Sequence, residues 1–98
     1  MKIQVVQTGG FAGINTVLAD LDTANLRIEQ AQQLETVIAR ADFFHLPTRV
    51  GGEGVVGADM FAYEVTVNDK DQKKTVAFVV SEAAPEPLAS ILRAVDVM

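Results

Sequence analysis

Residues 61–81 read FAYEVTVNDKDQKKTVAFVVS, and their alternation decides the fold class. Phe61, Tyr63, Val65 and Val67 fall on one face of an extended chain, with Ala62, Glu64, Thr66 and Asn68 on the other. Successive side chains of a strand point to opposite faces, so this pattern predicts a strand with one face buried. NDKDQ supplies turn chemistry, and KKTVAFVVS returns with Val76, Phe78 and Val80 facing in. The two runs form a β-hairpin.

The rest of the chain is read outward from that hairpin. Residues 2–8, KIQVVQT, set Ile3 and Val5 against Lys2 and Gln4, and residues 14–21, INTVLADL, repeat the pattern less cleanly with Val17, Ala19 and Leu21 inward. Both are predicted strands. From about Ile28 the period lengthens: Ala31, Leu34, Ile38 and Ala41, widened by Val37, form one stripe, while Glu29, Gln32, Gln33, Glu35 and Arg40 face out. This predicts an amphipathic helix with an acid in its first turn and a base in its last, the arrangement its dipole favours. It ends before Pro47 in DFFHLP. Residues 48–60, TRVGGEGVVGADM, hold four of the seven glycines and read as a long irregular segment. Pro85 and Pro87 can open a second helix, with Leu88, Ile91, Leu92 and Val95 as its apolar stripe. The order ββαββα, with short turns in both strand pairs, predicts an α+β two-layer sandwich: a four-stranded antiparallel sheet with both helices on one face, in a single domain spanning 1–98.

Composition narrows the function. Of 98 residues, 49% are hydrophobic and 21% charged, enough apolar material for a modest core. The net charge of −5, from 13 acidic and 8 basic residues, and the lack of a basic cluster beyond Lys70, Lys73 and Lys74 speak against nucleic-acid binding, which draws its affinity from neutralised phosphates. There is no cysteine, so disulfides, thiolate metal sites and thiol nucleophiles are excluded, and a reducing, cytoplasmic location is expected. No run approaches the ~18 apolar residues of a membrane span, and the start MKIQVVQTGG has no uninterrupted apolar segment.

Catalytic groupings are sparse. The one histidine, His45, stands between large apolar residues without a second ligand at helical spacing, so it reads as structural or surface-exposed rather than metal-binding. Asp20/Asp22 and Asp69/Asp71 sit at strand ends and in a turn and read as solvated acids; the second pair lacks the glycine and distal glutamate of a calcium loop. Neither GGFAG nor GGEGVVG leads into a helix or carries a Lys-Ser/Thr pair, so neither fits a phosphate or dinucleotide cofactor. No enzyme activity, cofactor or metal is expected.

Two segments point instead to protein binding. In VQTGGFAGINTV, residues 6–17, Gly9, Gly10 and Gly13 frame Phe11. Either the glycines shape a wide turn whose phenylalanine folds back over the sheet edge, or they let the backbone approach another protein while the ring fills a pocket there. The 48–60 segment offers Val50, Val55, Val56 and Met60, as a plain connection or as a contact surface.

Together, MKIQVVQTGGFAGI, ARADFFHLP and GADMFAYEVTVND resemble the emfourin family, small bacterial protein inhibitors of thermolysin-like (protealysin-like) zinc metalloproteases. The likeness runs through Gly9, Gly10, Phe11, Ala12, Gly13 and Ile14; through Asp42, Phe43, Phe44, Leu46 and Pro47; and through Asp59, Phe61, Tyr63 and Val65. Thr8 stands where the family pattern has serine, and the glycine-rich VGGEGVVG departs from it. The resemblance implies reversible binding that denies substrate access to the zinc cleft; a monomer is expected when the chain is free. The expected partner-binding surface is Gly9, Gly10, Phe11, Ala12, Gly13 and Ile14, with Val55 and Val56 added for the apolar character of their own segment rather than from the resemblance. A non-catalytic binding module with a different partner is the alternative.

Overall fold

The computed structural model describes residues 1–9, 15–50, 61–80 and 86–96. Its elements are β1 (Lys2–Gly9), β2 (Thr16–Asp22), α1 (Ile28–Arg40), β3 (Arg49–Val50), β4 (Phe61–Asp69), β5 (Gln72–Val80) and α2 (Leu88–Asp96), with 3₁₀ turns at Thr23–Asn25 and Phe43–His45. The α+β class and the two helices agree with the sequence reading. The sheet differs: it is five-stranded and mixed, in the order β2-β1-β4-β5-β3, rather than four-stranded and antiparallel.

The extra strand lies in the stretch read as irregular. Arg49 and Val50 run parallel to β5 opposite Ala77 and Phe78, and the Ala77 amide donates to the Thr48 carbonyl at 2.9 Å. Two residues are too few to show a period, but the pairing covers part of an edge β5 would otherwise leave open. The 61–80 hairpin is as expected, from Phe61↔Val80 to Asp69↔Gln72, with Lys70 at φ 55 in its turn. What joins the two halves is β1 beside β4, antiparallel from Lys2↔Asn68 to Gly9↔Phe61.

One face of this sheet carries the core. Ile3 and Val5 of β1, Val65 and Val67 of β4, and Val76, Phe78 and Val80 of β5 are buried together with Leu34 and Ile38 of α1, Phe43, and Leu88, Ile91 and Ala94 of α2. Both helices therefore cover the same face and touch each other. In α2, Ala94 takes the fully buried place and Leu92 and Val95 are half-buried, because spacing 88, 91, 94 points straight down while 92 and 95 fall to the flank.

Strand β2 departs most from its simple alternation. Val5 pairs with Ala19 but Val6 pairs with Val17, so Leu18 is an extra residue, a β-bulge. The bulge turns Val17 away from the core face on which alternation places it. Val17 is 59% and Leu18 46% exposed.

Helix α2 carries a local electrostatic brace. The Ser90 hydroxyl donates to Glu86, and the Arg93 guanidinium lies 3.3 Å from the same carboxylate. The Ser90 hydrogen bond, then the Arg93 charge and the Ser90 amide, hold the Glu86 carboxyl below the usual glutamate value against an opposing desolvation effect. Since the folded value is depressed, this contribution to helix stability is present above the ordinary glutamate pKa and is lost as pH falls through the folded value. Ser90→Ala is expected to return the Glu86 midpoint upward in a carboxyl NMR titration; an unchanged midpoint would remove Ser90 as the cause.

Candidate functional site

The sheet topology brings the strand ends that flank the candidate segments to one end of the sheet. Strand β1 leaves the sheet at Gly9, β2 begins at Thr16 beside Gln7, and β4 begins at Phe61 beside Gly9. Val80, the last residue of β5, pairs with Phe61, and β3, parallel to β5, runs toward the same end. Chain segments 10–15, 51–60 and 81–85 therefore all depart from the Gly9–Phe61–Val80 end. Of the expected partner-binding residues, Gly9 is described, as the last residue of β1, the strand between β2 and β4. Gly10, Phe11, Ala12, Gly13, Ile14, Val55 and Val56 lie outside the described residues, as does Asp59.

The opposite end is built for anchoring. The amino group of Met1 donates to the Thr23 hydroxyl at 3.1 Å, and the Thr23 amide donates to the Met1 carbonyl at 2.9 Å, so the start of β1 is tied to the end of β2. The Asp22 carboxylate accepts from the Ala24 amide at 3.0 Å, capping the first 3₁₀ turn, which accounts for one of the carboxylates read as solvated. Asp42 takes a left-handed conformation, φ 50, which aspartate tolerates better than most residues. It then turns the chain so that Phe43 enters the core and meets the Phe44 ring edge-on at 6.0 Å.

His45 Nδ1 lies 2.6 Å from Asp42 Oδ1, with both side chains exposed. A histidine oriented by a carboxylate is two parts of a hydrolytic arrangement, but among the described residues no serine is hydrogen-bonded to this one and no group of His, Asp and Glu could hold a metal ion. The pair braces the turn after α1. Tyr63 is half-buried in β4 and packs against the core cluster.

Sequence reasoning missed the bulged edge of β2. Val17 and Leu18, with Ile28, are the large apolar side chains left exposed among the described residues. Alternation assigns Val17 to the core, and an extra residue in one strand leaves no mark on a single sequence.

The emfourin family model matches residues 5–96, from Val5 in the middle of β1 to the last residue of α2. The chain belongs to the emfourin family. Every described element except the first residues of β1 falls within the match. The emfourin domain is an inhibitor-type domain associated with proteases. No curated protein and no solved structure matches the chain. Among the described residues, no helix is long and apolar enough to cross a membrane.

Proposed function

We propose that this chain is a proteinaceous inhibitor of a thermolysin-like, protealysin-like zinc metalloprotease and blocks substrate access by reversible binding. The observation that carries the reading is membership of the emfourin family over nearly the whole chain. The topology supports it: Gly9, which precedes the Phe11 segment, and Phe61, which follows the segment holding Val55 and Val56, are paired at one end of the sheet. A cleft accommodates such an end when the glycines keep the approach narrow and the phenylalanine supplies the buried area, worth roughly 2–3 kcal/mol on full burial. In this reading the chain acts as a monomer, in a reducing compartment such as the cytoplasm, which suits a protein without cysteine.

The test is titration of a thermolysin-like metalloprotease with the purified chain, followed by hydrolysis of a short fluorogenic peptide. The expected outcome is loss of activity at near-equimolar inhibitor, recovered on dilution. Full activity across several such enzymes at large excess would instead favour a binding module for another protein.

A further inference from the structure

We infer that the free edge of β2, at its bulge, is a second contact strip for the metalloprotease, taking an extended segment of that partner as an added strand; this rests on the proposed inhibitory function. Three features of the described structure converge there. Strand β2 is terminal in the sheet, so one row of its backbone N–H and C=O groups pairs with no strand among the described residues. At the bulge, Leu18 stands beside Leu92, Arg93, Val95 and Asp96 of α2, and these line a groove of about 540 Å³ between the edge strand and the helix. An extended peptide laid on such an edge can bond its backbone to the strand while alternate side chains enter the groove. The bulge faces Val17 to the other side, so the strip presents apolar area on both faces of the edge.

The occupant follows from position and charge. Thr16, the first residue of β2, pairs with Gln7, two residues before Gly9, so Val17 and Leu18 lie toward the same end of the sheet as Gly9, Phe61 and Val80. A second copy of this chain fits poorly: symmetric pairing would gather the Asp20 and Asp22 carboxylates of both copies on one edge. Arg93 is drawn toward Glu86, which leaves Asp96 as the groove's uncompensated charge among the described residues and favours a basic residue beside the apolar one in the partner segment.

The experiment compares wild type, Leu18→Lys and Ile28→Lys in the peptidase assay, and measures amide hydrogen exchange of the full-length chain free and in the protease complex. Ile28, on α1, is 73% exposed and serves as the control. Leu18→Lys should raise the inhibition constant about tenfold or more, Ile28→Lys should leave it within roughly twofold, and amides of Thr16–Asp22 should slow in the complex. Inhibition by Leu18→Lys equal to wild type, or β2 exchange unchanged in an inhibited complex, overturns the strip while leaving the inhibitor reading intact. A wild-type chain that inhibits no thermolysin-like enzyme removes both. Sedimentation showing a wild-type dimer that Leu18→Lys dissociates assigns the edge to a second copy and overturns the proposal.

Discussion

Replacing Phe78 by alanine is expected to lower the free energy of unfolding by about 3–5 kcal/mol. Phe78 is fully buried on β5 and sits opposite Tyr63 of β4 on one side and Val50 of β3 on the other. Its ring therefore fills the layer between sheet and helices at the place where the short parallel strand joins. Truncation removes the transfer free energy of the ring and leaves a void that flanking valines on regular strands cannot close. A domain of this size has only ~5–15 kcal/mol in total, so the variant should unfold at much lower urea concentration with a similar slope. The thermal midpoint should fall on the order of 4–8 °C per kcal/mol. A loss under about 1 kcal/mol would mean that the layer is not packed around this ring.

Phe11→Ala is expected to do the opposite: inhibition should weaken by about tenfold or more while the unfolding midpoint is held. The ring belongs to the segment between β1 and β2, whose flanks Gln7 and Thr16 are paired to each other. If Phe11 anchors the inhibitor, its removal costs the apolar area buried against the protease and leaves the fold unaffected. The two contributions are separated by measuring both quantities on the same preparation. A variant that inhibits like wild type but unfolds several kcal/mol more easily would place the ring over the sheet edge.

The contrast between these two substitutions follows what the sequence could and could not carry. Strict alternation from Phe61 to Val80 specified a hairpin, its turn and its inward residues, because a one-residue slip would expose Val65, Val67, Val76 and Phe78 together. The stripe of Leu34 and Ile38 placed α1 in the same way. Nothing in the pattern told β1 to lie beside β4, since each strand alternates whatever its neighbour. Arg49–Val50 was invisible because two residues have no period, and the bulge at Leu18 was invisible because it is a property of a pair of strands. Candidate site residues Gly9 to Ile14 were legible as a departure from turn chemistry, three glycines around an aromatic ring. Their common end with the segment leading into β4 became apparent only from the register Gly9↔Phe61.

The account is tested most directly by competition for the protease cleft. A thermolysin-like metalloprotease is incubated with a tight small-molecule ligand of its active site, and binding of the chain is then followed calorimetrically against the unblocked enzyme. Occlusion of the cleft by the Gly9–Phe61–Val80 end predicts that the blocked enzyme shows little or no heat of binding while the free enzyme binds one chain per active site. Equal binding to blocked and free enzyme would contradict it, since the chain would then be seated away from the cleft.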